Sequence, residues 1–271
     1  MRQKIQFHPR NKIVYYSVFL VLLTFFSCQK ASKDQPDKDQ SDKPLTTSQI
    51  IENAIVYSGK EKVENHKIKY VFRDKIYLSE GICGRFKFTR IDTIRNVKDV
   101  YDKNELHRTV NDRKVSLVDT TATKIKSAIN SVNYFVQLPY RLKDEAVMAR
   151  RLKDDSINGK TYYQLEVKFK EVGGGEDHQD VYRYWFDQKD FSMDYLAYQF
   201  YTNDGGLRFR VKEKEKRKNG IVFQNYDNFK PKSQKVTLKT LSHAFQNNNL
   251  EKVSDIITKP LEVSPITQNC D

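Results

Sequence analysis

DVYRYWFD (180–187), FSMDYLAYQFYT (191–202), LRFRVKEKEKRK (207–218) and IVFQNYDNF (221–229) follow one another with only short polar segments between them. Each run alternates apolar and polar residues and is rich in Tyr, Phe, Val and Ile, the pattern of half-buried antiparallel strands. Asn219-Gly220 between the last two runs is a two-residue hairpin pair, since both positions accept positive φ. Upstream, ARRLKDDSI (149–157), Asn158-Gly159 and KTYYQLEVKFKEV (160–172) repeat the arrangement.

The same period runs from His66 to Val118 as KIKYVF, KIYLSE, RFKFTRIDTI, DVYD, LHRTV and KVSLV, with turns at Arg73-Asp74 and Asn111-Asp112. Between these two blocks the spacing becomes helical. Ile125, Ala128, Ile129, Val132, Phe135 and Val136 form an apolar stripe that stops before Pro139. A short helix is expected over Gln49–Tyr57, capped by Thr47 or Ser48 and ended by Gly59. A last helix is expected at Leu238–Gln246 and a last strand near Val253–Ile257. The implied fold class is α+β, mainly β. About ten strands form one curved antiparallel sheet, with helices over its concave face.

The N-terminus has a different character. Arg2, Lys4, Arg10 and Lys12 precede a mostly apolar run, Ile13–Phe26, that ends at Ser27-Cys28. A basic start followed by a short apolar core is a secretory signal, too short for a permanent membrane span. A small residue before cysteine at this point resembles a lipobox, although Phe25 and Phe26 depart from its usual residues. Residues 1–27 are therefore expected to be a signal peptide and Cys28 the lipidated first residue of the mature chain. At about 0.8 kcal/mol per buried methylene, two or more acyl chains anchor stably. Gln29–Pro44 holds no large apolar residue and reads as a disordered tether, so residues 28–45 carry the anchor and linker and 46–271 a single domain.

The chain carries +13; removing four of the 48 basic residues and none of the 35 acidic ones leaves +9 on the mature form. For an exported protein this charge points to anionic headgroups or glycans rather than nucleic acid, with solubility as the bland alternative. With Cys28 acylated, Cys83 and Cys270 remain as a candidate disulfide in a compartment that permits one.

Three constellations are candidate sites. Tyr184, Trp185, Tyr198 and Phe200, with Ile129, Val132 and Phe135 from the helix, are candidates to line an apolar cavity, against ordinary core packing. Glu176, Asp177, His178 and Asp180 follow Gly173-Gly174-Gly175, and Asp204 lies in a loop at the same expected end of the sheet. These are donors for a divalent cation, although acidic glycine-rich loops also simply join strands. Arg208, Arg210, Lys212, Lys214, Lys216 and Lys218 alternate along one strand and are expected to share a face, either a rail for anions or a solvated exterior. No GxSxG, paired CxxC, phosphate loop or HExxH occurs, and His66, His107, His178 and His243 fall in different elements. No cofactor or resident metal is expected.

LPYRL (138–142), NGKTYYQLEVKF (158–169), EVGGGEDHQDVYRYWFD (171–187), MDYLAYQFYTNDGGLRFR (193–210) and NGIVFQNYDNFKP (219–231) together resemble an uncharacterised family of Gram-negative lipoproteins, over residues 48–263. The resemblance implies an architecture similar to the LolA/LolB carriers, an incomplete antiparallel barrel whose apolar concave face is lidded by helices, here 122–138 and 238–246. It supplies no catalytic residues. The expectation is a lipid-anchored envelope protein, at the outer membrane facing the periplasm or displayed at the surface, that binds a lipid or acyl chain. A tethering module acting through the basic face is the alternative, and an enzyme at the glycine-rich loop end a third.

Overall fold

The computed structural model describes residues 43–267 apart from 83, 177 and 203. The expected signal peptide, Cys28, nearly all of the tether, Asp177 and the Cys83–Cys270 pair thus lie outside the described residues. Pro44–Asp271 forms one compact unit.

Helix α1 (Thr47–Ser58) begins two residues earlier than its sequence suggests, because Thr46 is the cap. The Thr46 hydroxyl accepts from the Gln49 amide at 3.3 Å, and Gln49 Oε1 accepts from the Thr46 amide at 2.9 Å. This reciprocal pair satisfies two otherwise orphaned donors. Thr46→Ala is expected to cost about 1 kcal/mol in urea denaturation; an unchanged midpoint would show that the cap contributes nothing. Gly59 ends the helix at φ 64, and a Cβ there would lie 2.1 Å from the Gly220 carbonyl oxygen. Only glycine allows both the left-handed turn and that approach.

Six strands follow: β1 (His66–Phe72), β2 (Lys75–Ile82), β3 (Arg85–Asp92), β4 (Val97–Asp102), β5 (Glu105–Val110) and β6 (Arg113–Val115). Helix α2 (Asp119–Gln137) then leads to β7 (Val147–Arg151), β8 (Asp155–Ile157), β9 (Lys160–Phe169), β10 (Val181–Asp187), β11 (Met193–Phe200), β12 (Gly206–Lys218) and β13 (Ile221–Pro231). Helix α3 (Leu241–Gln246), β14 (Leu250–Ile256) and β15 (Lys259–Pro265) complete the described chain.

The single ten-stranded sheet expected from the sequence is replaced by two antiparallel sheets, ordered β15-β1-β2-β3-β4-β5-β6 and β14-β13-β12-β11-β10-β9-β7, with β8 paired to β9. They are not closed into a barrel. The division falls at α2, because a helix-long connection does not have to return the chain to the neighbouring ladder position as a tight hairpin does. The last strand, β15, lies beside β1.

The main core lies between the sheets. It joins Ile68, Tyr70 and Tyr77 of the first to Leu165, Tyr184, Phe186 and Leu196 of the second, with Ile50 and Ile55 from α1. Helix α2 is tied to the first sheet by buried polar groups. Asn133 Oδ1 accepts from the Tyr70 hydroxyl at 2.8 Å, and Gln137 Nε2 donates to Ser79 Oγ at 2.7 Å. Ile125 and Ile129 pack on Phe88 on the same side.

Helix α3 is not a second lid on that inner surface. It packs with Trp185, Tyr195 and Phe209 in a separate cluster. Alternation along β10 sends Tyr184 to the inner core and Trp185 to the opposite face, so the helix that covers Trp185 must lie outside.

Candidate ligand-binding cavity

The outward side of α2 presents Ser131, Val132, Phe135 and Val136 across from the second sheet, and a cavity of about 330 Å³ lies between them. Strand register builds its floor. Tyr182 on β10 stands opposite Tyr198 on β11, which stands opposite Arg208 on β12; one row further in, Leu196 is opposite Arg210. The Tyr182 and Tyr198 rings stack at 5.6 Å. Phe223 and Tyr226 of β13 extend the wall, and Phe72 at the end of β1, Arg73 in the turn after it and Lys60 complete the lining on that side.

Among the expected lining residues, Val132, Phe135, Tyr198 and Phe200 border this cavity. Tyr184, on the same sheet face, is fully buried in the core, and Ile129 is buried against Phe88. Trp185 faces the other way, its indole Nε1 donating to Asp155 Oδ2 at 2.9 Å.

The basic strand departs from its expected geometry. A register shift between Lys212 and Lys214 inserts Glu213 as an extra residue opposite β13 and reverses the alternation. Arg208 and Arg210 face the cavity, and Lys212 pairs with Asp194 and Glu215 on that side. Beyond the bulge, Glu215 and Arg217 both contact Tyr57 of α1. Of the six cations only Arg208 and Arg210 border the cavity, and the bulge breaks the even-numbered alternation before Lys214, Lys216 and Lys218, so they do not form one rail.

Around the glycine-rich loop, Gly173, Gly174, Gly175 and Glu176 line a second cavity of about 230 Å³ that shares Ser131, Phe135 and Tyr182 with the first. His178 Nδ1 lies 3.1 Å from the Gly175 carbonyl oxygen. Asp180 is buried and accepts from the Tyr201 amide at 3.3 Å, while Asp204 is exposed. Among the described residues, no three acidic, histidine or cysteine side chains gather as a metal site.

The sequence did not single out Lys60, which is 2 % exposed. Its Nζ donates to the Val136 carbonyl at 2.6 Å and sits 4.9 Å from the centre of the Phe223 ring. Burial pushes this amine down from 10.5 to about 7. Arg210, 8 % exposed, places its guanidinium carbon 4.2 Å from the Phe135 ring centre and donates from Nη2 to the Tyr198 hydroxyl at 3.2 Å. Among the described residues its enclosed Nε meets no acceptor. The available signal was the parity shared by Tyr198 and Arg210, which becomes visible only with the β11–β12 register.

Residues 40–258 match a family of unknown function, DUF6503. The chain belongs to DUF6503. No curated protein sequence matches it. Among solved structures, a LolA superfamily protein from Nitrosomonas europaea aligns at 13% identity and TM-score 0.46, covering 83% of this chain and 96% of that one. A DUF1329 family protein from Desulfovibrio piger aligns at 8% identity and TM-score 0.47, covering 84% and 96% respectively. Both are loose likenesses of architecture, and the cavity residues of this DUF6503 chain stand on their own geometry.

Proposed function

We propose that this domain holds an apolar or amphipathic ligand, such as a lipid or acyl chain, between α2 and the second sheet, and does so as a lipid-anchored protein of the cell envelope. One observation carries the binding reading. A polar tie on one side of α2 fixes the helix to the first sheet, while on its other side Phe135 meets Tyr182, Tyr198 and Arg210 of the second sheet and the space beside this contact stays open over the aromatic floor. The volume, about 330 Å³, falls within the range of about 300–1,000 Å³ occupied by small-ligand sites. The envelope setting rests on the basic and apolar N-terminus and on Cys28.

Native mass spectrometry of the chain purified without detergent tests the reading directly. A co-purifying lipid mass, released on denaturation, supports it. A domain that is repeatedly empty and takes up no neutral dye such as Nile red removes it. Val132→Trp should fill the space beside Phe135 and weaken Nile red binding about tenfold or more with little change in melting temperature. Dye binding that survives this substitution would place the ligand elsewhere.

A further inference from the structure

Elsewhere among the described residues the other buried cation, Arg183, pairs with a carboxylate, and buried carboxylates draw in cations from partly buried or exposed positions. Asp99 accepts from Arg90 at 2.7 Å and from Arg108 at 2.7 Å. Glu166 accepts from Arg150 at 2.6 Å and Arg183 at 3.0 Å. Asp194 takes Lys160 and Lys212. Burial pushes the Asp194 carboxyl up, but hydrogen bonding and charge from Lys212 outweigh it and hold the group below its ordinary value. A charge withdrawn from water without a counter-charge is expensive, and these pairings avoid that cost.

The cavity breaks the pattern. Arg210 and Lys60 are both buried, both border it, and neither pairs with a carboxylate among the described residues. Aromatic faces and single neutral acceptors compensate them only in part. Arg208 and Arg73 add positive charge, each over a phenylalanine ring at 5.0 Å and 5.3 Å. Asp180, also on the wall, is engaged by the Tyr201 amide and the Tyr182 hydroxyl. Val132, Phe135 and Tyr198 border the same cavity beside these cations. A ligand that fits therefore combines an apolar chain with a negative end.

We infer that the cavity selects a single-chain amphipathic anion, with the acidic head on Arg210 and Lys60 and the chain along Val132, Phe135 and Tyr198. This rests on the ligand-binding reading above and narrows it. A carboxylate and a phosphate monoester share the required chemistry, because both present charged oxygens to a guanidinium.

The test is competition against Nile red on the full chain, using dodecanoate, dodecyl phosphate and dodecanol below their micellar concentrations. Either anion should bind about tenfold or more tightly than the alcohol, and the tighter of the two identifies the head. Arg210→Met should lower the affinity ratio of the preferred anion to dodecanol, measured in the same variant, to about one, and Lys60→Met should reduce that ratio in the same direction. An alcohol bound as tightly as both anions overturns the inference while leaving the binding reading intact. A preference undiminished in both variants also overturns it. Absence of binding by dye and all three competitors refutes the ligand-binding reading itself. The wild-type comparison needs no variant, so a misfolded Arg210→Met protein does not remove the test.

Discussion

Lys60→Met is expected to make the ligand-free domain more stable at pH 7, by roughly 2–4 kcal/mol. Burial holds the amine near 7 rather than 10.5, and each pH unit of such a displacement corresponds to about 1.4 kcal/mol. The lost hydrogen bond to the Val136 carbonyl returns about 1 kcal/mol of that gain. The sign follows from proton counts. Between about pH 7 and 10.5 the unfolded chain keeps a proton on Lys60 that the folded chain sheds, so raising the pH stabilises the fold. Below about 7 both states are protonated, the slope vanishes and the penalty is fully present. Methionine has no proton to bind, and its variant should lose this component of the slope. Urea denaturation at pH 7 and pH 9 reads both effects while avoiding the range in which tyrosines ionise in the unfolded chain. A variant less stable than wild type at pH 7, or one with an unchanged slope, would sink the account. Greater stability together with weaker binding of an acidic amphiphile would identify Lys60 as a group retained at a cost to the fold.

The strands were legible because their cause is local. Arg73-Asp74, Asn111-Asp112, Asn158-Gly159 and Asn219-Gly220 all adopt positive φ at both positions, as two-residue hairpins require. The stripe on α2 was equally visible, but not its division: Ile125 and Ile129 turn to the first sheet, whereas Val132 and Phe135 border the cavity. Periodicity marks which residues are apolar and leaves open what each will meet. The split into two sheets escaped for a related reason, since alternation specifies faces within a strand and not which ladder a strand joins. β15 contains Pro260 and Pro265 and finds its partner in β1, at the other end of the domain. The bulge at Glu213 depends on β13, so the even-numbered cations looked continuous when read along β12 alone. Arg210 and Lys60 matter through burial, which depends on the packing of α2 and the second sheet. No residue-type pattern marks it.

The contrast between paired and unpaired cations gives a second large effect. Asp99→Asn is expected to destabilise the domain by about 3–5 kcal/mol, whereas Arg210→Met should change stability by no more than about 1 kcal/mol. Asp99 is 1% exposed and lies between Arg90 and Arg108 on the neighbouring strands β3 and β5, with each guanidinium supplying two hydrogen bonds. Asparagine retains the shape but leaves two partly buried positive charges without a counter-charge, and their mutual repulsion adds to the desolvation cost. Among the described residues Arg210 has no such partner, so its removal strands no opposite charge there. Methionine can preserve much of the contact with Phe135 while eliminating the enclosed Nε. Equilibrium denaturation of both variants under the same conditions separates a structural cation from one held for a ligand. A loss for Arg210→Met as large as that for Asp99→Asn would make Arg210 part of the structural charge network and transfer the case for an acidic ligand to Lys60 alone. A small loss would leave the guanidinium with little structural reason to occupy the aromatic floor, and anion binding would then supply the missing counter-charge.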